Sequence, residues 1–227
     1  MSINIAIDGP SGAGKSSISK KVAALLGFIY VDTGALYRAV AYHVISKEIP
    51  PKNESAVIQE LPKIKPELRF IDGSQHVFLN GADVSEKIRT PEISMGASDV
   101  SAIPAVRDFL FELQRSIARE NNVIMDGRDI GTVVLPNADL KIYLTASAEE
   151  RARRRHLELT EKGDKSSFDE VLADVNKRDY NDMNRKTAPL KQADDAVLAD
   201  TTKLDFDEAV DLILKISGEV LGVRNEV

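Results

Sequence analysis

The 227-residue sequence contains no cysteine. Disulfides and thiolate metal sites are thereby excluded, and the chain suits a reducing compartment. Histidine is nearly as scarce. His43, His76 and His156 stand far apart and suggest no metal cluster, so scattered surface histidines are expected. No run approaches the roughly 18 consecutive apolar residues of a membrane-spanning helix, so no membrane partner is expected. The opening Met-Ser-Ile-Asn-Ile lacks the basic-then-apolar pattern of a signal peptide, and a cytoplasmic location is expected. Positive charge is not in excess either: 30 Lys and Arg against 36 Asp and Glu leave a net charge of −6. That balance argues against a general nucleic-acid binder. It also makes two local basic clusters conspicuous, Arg151, Arg153, Arg154 and Arg155, then Arg178 with Arg185. Internal repeats and low-complexity tracts are missing. What remains is 43% hydrophobic with mixed charge, the composition of a folded globular chain. Its length can bury a sizeable core as one domain, or one domain with an insertion.

Residues 9–17 read Gly-Pro-Ser-Gly-Ala-Gly-Lys-Ser-Ser, directly behind the alternating apolar run Ile3, Ile5, Ile7. The pattern G-x-x-x-x-G-K-[ST] fits Gly9, Gly14, Lys15 and Ser16. A helix-compatible run follows, which is the strand–loop–helix setting a phosphate-binding loop requires. Small residues there let backbone N–H groups converge on phosphate oxygens at a helix N-terminus. Lys15 is placed to reach the β/γ phosphates and the Ser16 hydroxyl to ligate Mg2+.

Strand-like runs occur at 3–7, 28–31, 123–125, 141–144 and 196–198, and helical patterns at 16–26, 35–46, 105–120, 148–162, 168–181 and 206–221. Ser167 with Glu170 forms a capping box at the start of the fifth helix. Strands alternating with helices predict a three-layer α/β/α architecture around a five-stranded parallel sheet. One stretch breaks the alternation. After Pro50, Pro51, Pro62 and Pro66 come short apolar runs punctuated by Asp72-Gly73 and Asn80-Gly81. Asn-Gly between such runs is a strong hairpin signal, so residues 60–100 are expected to be an inserted antiparallel region.

Four polar clusters sit where the chain can do chemistry. Ligands in open α/β sheets bind at the carboxyl ends of strands. That places Asp32-Thr33-Gly34-Ala35-Leu36-Tyr37-Arg38 near the phosphate loop if the second strand runs parallel to the first. Thr33 as a helix N-cap and Arg38 as a solvated helix residue explain that cluster equally well. Asp126-Gly127-Arg128-Asp129 ends the third strand, where P-loop proteins hold or orient Mg2+ with a carboxylate; a surface turn is the alternative. Arg178, Asp182 and Arg185 share one helix face, and an ordinary i, i+4 ion pair accounts for the first two. In the 151–155 run, two or three charges belong on a solvated helix face and one or two toward a phosphate. Ser98, Asp99 and Arg107 gain interest only from their place after the insertion. Together one lysine, several arginines and a Mg2+ ligand at one sheet edge suit phosphoryl transfer, which is mainly positioning and charge neutralisation.

These segments resemble the bacterial cytidylate kinases of the nucleoside monophosphate kinase group. The resemblance is carried by IAIDGPSGAGKSS (5–17), DTGALYRAVA (32–41), GADVSEKIRTPEIS (81–94), IMDGRDIGTVVLPNADLKIYL (124–144), EERARRR (149–155) and RDYNDMNRKTAPL (178–190). It spans nearly the whole chain, with Thr33 standing where the family often has Ser. It implies one kinase domain over 1–227, with a monophosphate-binding insertion at about 60–100 and a lid at about 157–168, where Gly163-Asp164-Lys165 reads as a mobile loop. It further implies that Gly9, Pro10, Ser11, Gly12, Ala13, Gly14, Lys15, Ser16 and Ser17 bind the phosphates of ATP, with Ser16 on Mg2+. Arg38 and Arg128 then hold the acceptor phosphate. Ser98, Arg107 and Asp129 contact cytosine, and Asp182 and Arg185 contact the sugar. Arg154 and Arg178 neutralise the moving phosphoryl group alongside Lys15 and Arg128. Asp32, Thr33, Tyr37, Asp126 and Gly127 complete the substrate site.

Cytosine offers two acceptors, O2 and N3, and the donor N4–H2. An arginine supplies donors for the first two, and an aspartate or serine oxygen accepts from the third. CMP and dCMP are therefore expected well ahead of UMP, on a monomer. Two rivals remain. One is a P-loop kinase of another monophosphate or small metabolite. The other is a GTPase-type switch, for which Thr202-Lys203-Leu204-Asp205 mimics a guanine-recognition motif, although no D-x-x-G follows the third strand.

Overall fold

A computed structural model gives the fold, and the structure describes residues 2–71, 74–161 and 163–222. In chain order its elements are β1 (Asn4–Asp8), α1 (Lys15–Leu26), β2 (Ile29–Asp32), α2 (Gly34–Ile45), α3 (Glu54–Glu60), β3 (Pro66–Ile71), β4 (Ser74–Leu79) and β5 (Ala82–Asp83). There follow α4 (Pro91–Ser101), α5 (Pro104–Glu120), β6 (Val123–Gly127), β7 (Leu140–Thr145), α6 (Ala148–Glu161), α7 (Phe168–Asn184), β8 (Val197–Asp200) and α8 (Phe206–Leu221). Two units separate by contact. One comprises the described residues up to Tyr30 and from Glu120 onward, the other Val31–Arg119.

The five predicted strands form one parallel sheet of order β2-β6-β1-β7-β8. β1 is central, and Ile5, Ala6 and Ile7 are all fully buried, as befits a strand covered on both faces. Its register with β6 brings Asp8 opposite Gly127, and with β7 opposite Tyr143. The core of this unit joins Ile5, Ile7, Ile124, Ile142 and Leu144 of the sheet to Ile18 and Val22 of α1 and to Val210 and Ile213 of α8. The capping box of Ser167 with Glu170 is present. So is a second, unforeseen one, Asp205 with Glu208, at the start of α8. The helix expected over 148–162 ends at Glu161, with Lys162 outside the described residues.

The second unit holds the antiparallel sheet β3-β4-β5. Asn80 and Gly81 both have positive φ, 51° and 84°, as a two-residue type I′ hairpin requires. The other predicted turn, Asp72-Gly73, lies outside the described residues. The sheet is shorter than expected, however: residues 91–101 form helix α4, with Thr90 accepting from the Ile93 N–H and Pro91 in the first turn. Around α2 and α4 the core gathers Leu36, Val40, Val44, Ile93, Val100 and Leu110. A Cβ on Gly96 would lie 2.8 Å from Ile45 Cδ1 and 3.4 Å from Ala41 Cβ, so α4 packs closely on α2 at this glycine. The expectation of surface histidines fails at His43, which is buried and pairs with Glu60 at 2.9 Å. No helix among the described residues is long and apolar enough to cross a membrane.

Candidate active site

The first unit builds its site from the carboxyl ends of β1 and β6. The chain leaves β1 through Gly9, whose φ of +154° and whose closeness to the Leu144 carbonyl leave no room for a side chain. Gly12 and Gly14 also have positive φ, 77° and 85°, and α1 starts immediately at Lys15. The result is a tight glycine-rich arc ending on the free N–H groups of a helix, an anion-binding arrangement. Lys15 is buried, and its Nζ donates to the Pro10 carbonyl at 2.8 Å. Burial first, and Arg128 second, pull its pKa down to about 7.

Ser16 Oγ donates to Asp126 Oδ2 at 2.8 Å, and the Tyr30 hydroxyl donates to the other carboxylate oxygen at 3.2 Å. A hydroxyl and a carboxylate side by side are hard oxygen donors, the set Mg2+ prefers when phosphates and water complete its shell. The residues fit that ion.

Asp8 went unnoticed in the sequence. It is buried, and both its oxygens accept backbone N–H groups at 2.7 Å, from Ile130 and Gly131. Burial raises its pKa to about 6 against those two hydrogen bonds. It pins the turn that follows Gly127, Arg128 and Asp129. The usable signal was a carboxylate ending an apolar strand, the same signal that marked Asp32 and Asp126.

Arg128 Nε donates to Asp182 Oδ2 at 2.7 Å, and Arg185 Nη2 approaches Asp129 Oδ1 at 3.4 Å while its Nε donates to the Ala188 carbonyl. The local pairing of Arg178 with Asp182 is therefore wrong: Asp182 takes a partner 54 residues away. Among the described residues Arg178 has no hydrogen-bond or ion-pair partner. It is half-buried, and burial first, then Arg155, lowers its pKa.

The 151–155 run divides as expected only in part. Arg153 and Arg155 pair with Glu150 and Glu158 along the helix surface. Arg154 is held by Glu150, Thr201 and the Leu204 carbonyl. Arg151 is buried, with its guanidinium bonded to Ala146, Ser11 and Asp179.

In the second unit Asp32 organises the start of α2. Its Oδ2 accepts from Arg38 Nη2 at 2.6 Å and its Oδ1 from the Ala35 N–H at 3.1 Å. Thr33 stands at the N-cap position, but its side chain does not make the cap bond; Asp32 does that work. Gln75 of β4 grips the backbone of Asp32 on both sides, accepting from its N–H at 2.9 Å and donating to its carbonyl at 3.2 Å. Arg38 Nε is buried without a partner among the described residues. Arg107 on α5 is buried, donates to the Ser101 carbonyl at 3.4 Å and lies 5.6 Å from the centre of the Tyr37 ring. Ser98 is half-buried on α4, with its carbonyl accepting from Ser101 Oγ.

Known proteins match this chain over nearly its whole length. The family model described as cytidylate kinase matches residues 5–219. The cytidylate kinase of Caldicellulosiruptor bescii is 52% identical over 225 residues, 99% of this chain and 99% of its own length. That of Caldicellulosiruptor saccharolyticus is 50% identical over the same shares of the two chains. Among solved structures, an uncharacterized protein from Eubacterium ventriosum aligns with a TM-score of 0.52 at 14% identity, covering 94% of this chain and 96% of its own. At that identity the likeness concerns the fold alone.

Proposed function

Because the chain belongs to the cytidylate kinase family and so phosphorylates CMP and dCMP, we propose that ATP is its phosphoryl donor, that Mg2+ accompanies the donor, and that the residues of the two units divide the work as follows. The observation that carries the donor assignment is the glycine arc of residues 9–17, with Lys15 buried in it and Ser16 bonded to Asp126. Gly9 to Ser17 cradle the phosphates with backbone N–H groups, and the Lys15 ammonium offsets charge on the β/γ oxygens. Ser16, with Asp126 behind it, holds the Mg2+ ion, which neutralises phosphate charge when bound.

On the acceptor side, each unit holds an arginine suited to a phosphate, Arg128 in the first and Arg38 in the second; a planar guanidinium grips phosphate oxygens bidentately. In the second unit Ser98 and Arg107 are assigned to cytosine; in the first, Asp129 is assigned to cytosine and Asp182 with Arg185 to the sugar. Asp32, Thr33 and Tyr37 in the second unit, and Gly127 in the first, are assigned to substrate within their own units. Of the two arginines assigned to the moving phosphoryl group, Arg178 has its donors unengaged among the described residues, whereas those of Arg154 are taken by Glu150, Thr201 and Leu204. The acceptor oxygen of a monophosphate is already ionised near neutral pH, so positioning and charge neutralisation suffice without a strong general base. The lid at about 157–168 excludes water, which would otherwise hydrolyse ATP. One chain carries every assigned residue, so a monomer suffices, and a cysteine-free chain suits the cytoplasm.

Coupled ADP release over CMP, dCMP, UMP, AMP and GMP, with and without Mg2+, tests the assignment. CMP and dCMP should lead, with turnover dependent on the ion. Equal rates on CMP and AMP would overturn the base assignment, and a preference for GTP over ATP would overturn the donor.

A further inference from the structure

Arg151 lies in none of the roles above, yet its guanidinium makes four hydrogen bonds and all three of its nitrogens donate. Nε donates to the Ala146 carbonyl at 2.9 Å, where β7 hands over to α6. Nη1 donates to the Ser11 carbonyl at 2.9 Å and to Asp179 Oδ1 at 3.0 Å, and Nη2 donates to Asp179 Oδ2 at 2.6 Å. The Arg151 side chain is 5% exposed and that of Asp179 15%. Three segments therefore meet on one planar cation: the phosphate loop, the start of α6 and the middle of α7.

The consequence for the loop follows from peptide geometry. Among the described residues there are no cis peptide bonds, and in a planar trans peptide the C=O and the following N–H point opposite ways. Holding the Ser11 carbonyl toward Arg151 therefore turns the Gly12 N–H away from it. The contact is close on this side: a Cβ on Gly12 would lie 3.3 Å from Arg151 Cβ. The consequence for α7 follows from sequence. Asp179 is the neighbour of Arg178, so the bidentate bond to Asp179 sets the rotation of the helix that carries the unengaged arginine.

We propose that Arg151 and Asp179 are a positioning pair that fixes the orientation of the Ser11–Gly12 peptide in the phosphate loop and ties it to the placement of Arg178 on α7. Neither residue touches substrate in this role. The inference rests on the reading of residues 9–17 as the ATP phosphate site.

Arg151→Lys and Asp179→Asn test it, since each keeps the side-chain volume and a hydrogen-bonding atom where truncation to alanine would leave a cavity and risk unfolding. Lysine cannot serve Ser11 and both oxygens of Asp179 at once. Arg151→Lys should raise the KM for ATP by about tenfold and lower kcat by about 10- to 100-fold, the scale of an ångström-sized misplacement. Asp179→Asn keeps the bond to Ser11 and loosens α7. It should therefore lower kcat by a similar factor, roughly 10- to 100-fold, while leaving the KM for ATP within about twofold. In Arg151→Lys the KM for CMP should stay within about twofold of wild type, because Arg151 contacts nothing assigned to the acceptor, whereas in Asp179→Asn it should rise, because α7 also carries Asp182. Melting curves on the same samples separate this from a merely structural role. A lower Tm with kcat and both KM values intact overturns the proposal, as does a parallel rise of the two KM values. Lys15→Ala run beside them guards the premise: if it leaves turnover unchanged, the loop reading itself has failed, whereas its loss with intact Arg151→Lys kinetics overturns the positioning pair alone.

Discussion

Replacing Gly9 with alanine should cost more than any other single methyl in the first unit's loops, and the structure says why. The added Cβ would lie 1.9 Å from the Leu144 carbonyl oxygen and 3.0 Å from its carbonyl carbon. An ordinary carbon–oxygen contact is roughly 3.3 Å, so about 1.4 Å must open between the loop and β7. Neither side yields easily, because β1 and β7 are locked in register up to Asp8 opposite Tyr143. Overpacking of this kind costs about 1–3 kcal/mol, and a side chain at φ +154° adds about 1–3 kcal/mol of backbone strain. For a chain of this size roughly 4 kcal/mol corresponds to a Tm loss of about 10 °C. Gly27 supplies the control: its φ is +68°, but nothing lies within 4 Å of the added carbon. Gly27→Ala should therefore lose only about 1 kcal/mol, or about 3 °C. Thermal melts of both variants, with the KM for ATP measured well below either midpoint, decide the matter. Gly9→Ala should also weaken ATP, since the loop opens where the phosphates bind. If the two variants melt together and Gly9→Ala keeps its ATP affinity, the close approach is not what the first glycine of the motif is for.

Other outcomes follow from the same geometry. Lys15→Ala should lower kcat by about 10²–10³-fold with an unchanged far-UV circular dichroism spectrum; unaltered turnover would remove Lys15 from the transition state. Arg107→Ala should raise the KM for CMP and cut the preference for CMP over UMP by at least about tenfold. Its KM for ATP should hold, and a defect confined to ATP would take Arg107 out of the base pocket. The Glu60 carboxyl is held down to about 2, first by its hydrogen bond from Lys63 and second by that from His43. A carboxyl depressed on folding contributes stability that is complete above its ordinary value near 4.5 and is lost as pH falls through 2. Glu60→Gln should accordingly flatten the acid limb of a stability–pH curve between those values, and an unchanged limb would mean the pair does not persist in solution.

Features written in short spacings were legible in the sequence. The glycine arc, the five strands and the Asn80-Gly81 turn each depend on neighbours within a few residues. Helix α4 was hidden because Ser94, Gly96, Ser98 and Asp99 are indifferent helix formers. It holds through packing of Gly96 against α2, which no local pattern announces. Long-range partners defeated the local reading of charge as well. The i, i+4 spacing of Arg178 and Asp182 suggested a pair, but Arg128 claims Asp182 from 54 residues away. Asp8 escaped notice, and the partners of Arg151 went unforeseen, for the same reason, since those partners lie 122 to 123 and up to 140 residues distant. Thr202 to Asp205 shows the converse, a motif with a purely structural use. Thr202 accepts from the Ser147 N–H and bonds to Asp200, and Asp205 caps α8.

The arginines assigned to the acceptor phosphate are stored against carboxylates, and the manner of storage bears on how they work. Arg128 rests on Asp182 at 2.7 Å and Arg38 on Asp32 at 2.6 Å, each pair within its own unit and each with both partners 14–27% exposed. An unpaired arginine in such a half-buried place would be costly, and a carboxylate keeps it charged and oriented. Because these pairs reach water, a phosphate dianion with more charge and more acceptor oxygens can displace or share the carboxylate at modest expense. Arg151 and Asp179 are the contrast: their bidentate bond is drier, and two backbone carbonyls add to it. A cation so enclosed cannot be exchanged for substrate without breaking the loop it holds. Exposure of the arginine itself, 27% and 24% for Arg128 and Arg38 against 5% for Arg151, thus separates the arginines assigned to a phosphate from the one proposed to hold the loop, a distinction that residue type and spacing alone do not draw.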